Sequence, residues 1–96
     1  MLRVTQDVVE LRRWAESRGA RPCRDRTTGR LALLFGGDPC AVPVGWGEFE
    51  PAFCAGRCVF VYDEAPGSHR SFVGPAEEAR AWVAAELPAS ASWGAR

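Results

Sequence analysis

Five consecutive apolar residues, Leu31-Ala32-Leu33-Leu34-Phe35, constrain the fold of this chain more than any other stretch. Side chains alternate across a strand, so Leu31, Leu33 and Phe35 share one face while Ala32 and Leu34 share the other. Both faces are apolar, and a strand of that kind is expected to be covered on both sides. Residues 57–62 repeat the pattern, with Cys58, Phe60 and Tyr62 on one face and Val59 and Val61 on the other. With 96 residues there is room for one domain with one modest core. The covering layers must therefore come from helices a few turns long.

Three such helices are expected. The first spans residues 6–18: Thr5 is placed as N-cap, Val4 and Val9 as a hydrophobic staple, and Val8, Leu11 and Ala15 share a face with Trp14 at its edge. Gly19 then supplies the left-handed stop. The second spans residues 46–55 on the stripe Trp46, Phe49, Phe53, made irregular by Gly47 and Pro51. The third, residues 76–87, follows Gly74-Pro75, carries Glu77 and Glu78 in its first turn, and buries Ala76, Ala79, Val83 and Leu87. Further strands are expected at Pro22 to Asp25, at Cys40 to Val44 on an edge because of Pro43, and at His69 to Val73 as a hairpin return. The expected fold is a small α+β domain over residues 1–88 with a short, mainly antiparallel sheet and a flexible tail at 89–96.

Charge and chemistry narrow the function. Twelve basic residues balance twelve acidic ones, and every base is arginine. Without lysine there is no Schiff-base chemistry and no Walker phosphate loop. The balance is uneven along the chain: residues 1–30 hold eight arginines against four acids, +4, and the remainder holds four against eight, −4. Such asymmetry suggests a charged partner. The N-terminus lacks the apolar stretch of an export signal, and no run is long enough to span a bilayer, so a cytoplasmic location with no membrane partner is expected.

Cys23, Cys40, Cys54 and Cys58 are then expected as thiols, and their spacing lacks the paired C-x-x-C of a zinc knuckle. Cys40 and Cys58 are expected as small core residues, and no metal or cofactor is expected. His69, the single histidine, follows Ser68 in a turn without the pattern of a nucleophile elbow. The acidic pairs Glu48/Glu50, Asp63/Glu64 and Glu77/Glu78 read as helix-start and strand-end residues rather than a catalytic pair. Arg12, Arg13, Arg21, Arg24 and Arg26 form the strongest candidate site, since guanidinium forks suit carboxylate and phosphate alike. The alternative is a solvated face neutralised by Glu10, Glu16 and Asp25.

The block from Arg12 to Pro22, R-R-W-A-E-S-R-G-A-R-P, resembles the opening of a family of small bacterial proteins with the pattern R-R-W-A-E-x-R-G-G-x-P. That family continues with a strand ending in phenylalanine and glycine, an I-S-W-x-x-F-F-x-x-F helix and an apolar strand. Leu31 to Gly37, Val44 to Phe53 and Val59 to Glu64 are similar to these, and Ser71-Phe72 resembles the family's end. Some members are called alpha-glucan branching enzyme, but a barrel enzyme of that kind needs roughly 250 residues. Ala32 and Leu34 stand where the family has charged residues, and the chain runs on into helix 76–87. The extra helix is expected to cover the extra apolar face, with Trp82 and Val83 in contact there. The functional expectation is a non-enzymatic binding module whose arginine-rich face meets an acidic protein surface. Weak nucleic-acid binding is the alternative and a small enzyme of unknown type the third.

Overall fold

The computed structural model describes residues 2–86. Along the chain run β1 (Leu2–Thr5), α1 (Val8–Ser17), β2 (Arg21–Asp25), β3 (Leu31–Leu34), β4 (Ala41–Pro43), α2 (Trp46–Ala55), β5 (Cys58–Asp63), β6 (Ser71–Pro75) and α3 (Ala76–Glu86). The strands form two antiparallel sheets of three, ordered β1-β5-β6 and β3-β2-β4, in an α+β arrangement. All three expected helices are present. The expected tail at 89–96, and Leu87 with it, lie outside the described residues.

The start of the chain differs from expectation. Thr5 does not cap α1; it ends β1, whose residues Leu2 and Val4 alternate with Arg3 and Thr5. Asp7 is the N-cap, its Oδ1 accepting the Val9 N–H at 2.9 Å, and Thr5 Oγ1 accepts the Asp7 N–H at 3.0 Å. The proposed staple is absent as well, because Val4 is 61% and Val9 57% exposed. The period of two in Leu2-Arg3-Val4-Thr5 wins over the capping pattern because β5 offers a partner: Leu2 faces Asp63 and Val4 faces Val61 across the ladder. Gly19 ends α1 as expected, with a φ of 73°.

One core lies between β5, the helices α1 and α2, and one face of β3. Leu11, Trp14, Phe49, Phe53, Phe60 and Tyr62 are buried in it, with Leu31, Leu33, Phe35 and Trp46 packed around them. Trp14 sits centrally, edge-on to Phe35 and Phe60, and its indole N–H donates to the Asp63 carbonyl at 3.3 Å. A second, smaller cluster lies on the opposite face of β5. There Val59, Val61 and Ala79 are buried, with Leu2, Phe72, Trp82 and Val83 against them.

That second cluster corrects the expected role of α3. The helix packs on β5 and β6, covering Val59 and Val61, and not on Ala32 and Leu34 of β3. The strand that most needed two covering layers is β5, which is buried from Val59 to Asp63. All four residues of β3 are only half-buried. Geometry explains the choice: α3 follows β6 without a loop, and β6 pairs with β5, so the helix folds back onto its own sheet. Ala76, expected in the buried face, is exposed.

Candidate functional site

Five arginines were expected to share a face, and the structure divides them. Arg12 on α1 bonds Glu16 at 3.3 Å and Glu50 of α2 at 3.4 Å, and its guanidinium lies over the Trp46 ring. Arg24 in β2 bonds Glu48 of α2 at 2.8 Å and the Gly29 carbonyl at 2.8 Å. Arg26 follows the end of β2 and donates to the Pro39 carbonyl at 3.2 Å. Two of the five are thus held by acids of α2 rather than by the expected trio of Glu10, Glu16 and Asp25, of which Glu16 alone takes part. Glu10 instead accepts from the Tyr62 hydroxyl, and Asp25 accepts the N–H groups of Thr27 and Thr28. Arg13 and Arg21 are exposed and have no ion-pair or hydrogen-bond partner among the described residues.

Arg21 is the one that stands in a cleft. β2 opens at Arg21, which faces Leu34 across the ladder, while Cys23 faces both Ala32 and Pro43. Leu31 and Leu33 turn into the core, so alternation sets Ala32 and Leu34 on the other face. No helix of the described residues covers that face at Leu34. Beside Leu34 lies a cleft of about 350 Å³ lined by Gly19, Arg21, Leu34, Phe35, Gly36 and Pro43. Of these, Leu34 belongs to the face that the sequence assigned to a covered surface. A cation beside apolar side chains can hold a carboxylate and a neighbouring apolar side chain at once.

Other groups with chemical capacity are built into the fold. Ser68 Oγ donates to Asp63 Oδ2 at 3.1 Å and accepts the Arg70 N–H, while the His69 ring is stacked on Phe35 with centroids 4.5 Å apart. The Ser68-His69 pair therefore serves a turn and a ring contact. Burial pushes the Tyr62 hydroxyl up to about 12, helped by its bond to Glu10. Cys23 is buried rather than Cys40, which is exposed, contrary to its expected place in the core. Cys40 sits in the turn after Gly36-Gly37, where its N–H donates to Asp38 Oδ1 at 2.9 Å. Burial raises the thiol pKa of Cys23 and Cys58, which keeps both protonated at neutral pH. Cys54 and Cys58 line a pocket with Arg57, but among the described residues no three His, Cys, Asp or Glu side chains gather to hold a metal ion.

Leu34, Phe35 and Pro43 were not expected as site residues. For Leu34 and Pro43 the signal was present, an apolar second face on β3 and a strand that Pro43 confines to an edge; Phe35 was expected on the opposite face with Leu31 and Leu33. The second face was assigned to α3, which packs elsewhere. No helix of the described residues is long and apolar enough to cross a membrane. Comparison with protein-family models, with curated proteins and with solved structures finds no match.

Proposed function

We propose that the protein is a non-catalytic interaction module that holds an acidic segment of a partner protein over the open face of β3. The observation carrying this reading is Arg21, a guanidinium without a counter-ion among the described residues, in the lining of a cleft it shares with Leu34, Phe35 and Pro43. A carboxylate from the partner would take the Arg21 fork and an adjacent apolar side chain would cover the apolar lining. Arg13, also unpaired, adds positive potential that favours encounter. Arg12 and Arg24 are already neutralised by Glu50 and Glu48, so they contribute little to attraction. That neutralisation also weighs against nucleic acid, which binds through many free cations at once.

The test uses labelled peptides that place Asp or Glu beside Leu or Phe, and their Asn or Gln counterparts. Acidic peptides should bind and their amide counterparts should not. Arg21→Gln should weaken binding at least tenfold, about 1.4 kcal/mol, while Arg12→Gln and Arg24→Gln change it less than twofold. Equal binding of acidic and amide peptides would sink the proposal. Salt-sensitive binding to duplex DNA tighter than about micromolar, lost in Arg13→Gln/Arg21→Gln, would put the nucleic-acid reading first.

A further inference from the structure

The molecule has a second open surface, on the other sheet, that shares no residue with the Arg21 cleft. β1 is the edge of the β1-β5-β6 sheet, and among the described residues its only strand neighbour is β5. In an antiparallel ladder half of an edge strand's N–H and C=O groups point outward. Among the described residues no backbone group outside β5 meets those of residues 2–5. Edge strands are commonly protected by proline, lysine or a charge turned inward. β1 contains no proline or lysine, and its one charge, Arg3, bonds Glu64 at 3.1 Å and lies 3.9 Å from Glu10. The Arg3 charge is thereby spent on neighbours within the fold.

Beside this edge lies an apolar groove of about 390 Å³ between β1 and α3. Val4, Val59, Ala79 and Val83 line it, and Arg80 is the only charged residue that does among the described residues. Register explains the placement: Leu2 and Val4 face Asp63 and Val61, which puts them on the α3 side of the sheet. Val4 is 61% exposed because α3 sits over β5 and β6 and stops short of β1. Arg80 has no partner among the described residues.

We infer that the β1–α3 groove binds an extended peptide segment as a fourth strand beyond β1, with an apolar side chain against Val4 and Val83 and a carboxylate on Arg80. An open edge supplies main-chain hydrogen bonds and the groove selects alternate side chains, which is the usual division of labour in strand addition. A short peptide fits the scale better than a second copy of this chain. Four residues of strand extend roughly 13 Å, whereas a stable dimer buries about 800 Å² on each partner. Charge points the same way: Arg80 brings a guanidinium to the groove lining, and a peptide carboxylate complements it. This inference stands apart from the reading of Arg21.

Panning the full chain against a displayed library of random hexapeptides tests it. Enriched sequences should place apolar residues at alternate positions with Asp, Glu or a free C-terminal carboxylate at one end. The best of them, synthesised and labelled, should shift the amide resonances of residues 2–5 and 76–84. Arg80→Glu and the groove-filling Ala84→Leu should each weaken it at least tenfold, whereas Arg21→Gln leaves it within twofold. Methylating alternate backbone nitrogens of the peptide should abolish binding in one register and spare it in the other, because only alternate groups face β1. The inference is overturned if no consensus emerges, if Arg80→Glu binds as the parent does, or if both methylated peptides bind equally. It is also overturned if sedimentation shows a dimer that Ala84→Leu dissociates, since a second copy would then own the groove.

Discussion

β5 and β3 have nearly the same sequence character and opposite fates. Each is an apolar run whose two alternating faces both lack charge over most of its length. β5 is the central strand of its sheet, with Phe60 and Tyr62 against α1 and α2 on one side and Val59 and Val61 against α3 on the other. β3 is an edge of its own sheet, half-buried throughout, with Leu31 and Leu33 inward and Leu34 on an open cleft. An apolar face is thus a demand for cover, and the three helices of the described residues do not meet every such demand. The face left over is where a partner gains most by binding.

The largest test of this difference compares one residue from each strand. Phe60 is fully buried, and Phe60→Ala should cost about 3–5 kcal/mol through lost transfer and a cavity. Leu34→Ala should cost less, about 1–2 kcal/mol, because its side chain is only partly buried. Urea denaturation of the two variants decides it. Similar losses would mean that the second face of β3 is covered in solution and that the Arg21 cleft is closed.

A smaller effect sharpens the assignment of α3. Trp82 stacks on Phe72 with centroids 6.1 Å apart, and it packs with Val59 and Val61. Trp82→Ala should cost roughly 2 kcal/mol, less than a fully buried tryptophan, since one side of the ring is open. Peptide capture at Arg21 should be unchanged in the same variant, because α3 does not touch that cleft. Stability untouched by Trp82→Ala would detach α3 from the sheet; capture lost with it would return the helix to the β3 face.

Helices were the legible part of the sequence. Leu11 and Ala15 in α1, and Phe49 and Phe53 in α2, announce their faces by spacing, and Gly19 announces an end. Two apolar strands were legible as strands, but not which of them would be central, because a run of five or six residues says nothing about its neighbours. β1 escaped because Val4-Thr5-Gln6-Asp7 satisfies a capping pattern and a strand pattern alike, and β5, far along the chain, decides between them. The five arginines were legible as charges only. Glu48 and Glu50 lie two residues apart on α2 and claim Arg24 and Arg12 through contacts between elements. What remained, Arg21 with Leu34, Phe35 and Pro43, gathers three strands and a loop, and no local pattern joins them.

The smallest expected effect sets the two sheets against each other through one shared device. The central strand of each ends in an aspartate that holds the following turn: Asp25 accepts the N–H groups of Thr27 and Thr28 at 2.8 and 2.9 Å, and Asp63 accepts that of Ala65 at 3.0 Å. Asp63 differs in being buried, with the Ser68 hydroxyl at 3.1 Å and the Arg70 guanidinium at 3.6 Å on its other oxygen. The bond from Ala65 is the largest cause that draws the Asp63 carboxyl down to about 2 from an ordinary 3.8, and the Ser68 hydroxyl is a lesser one. Asp25 is lowered too, by the Thr28 and then the Thr27 N–H. For a depressed acid the unfolded chain takes up its proton first as pH falls. Stability from Asp63 is therefore fully present above the ordinary value and lost as pH drops from near 4 towards 2. Asp63→Asn should flatten the fall of the melting temperature across that window, and Asp25→Asn should flatten it less, because solvent screens an exposed turn. If Asp25→Asn flattens the acid limb more than Asp63→Asn, the sheet that carries acid stability is β3-β2-β4 rather than β1-β5-β6.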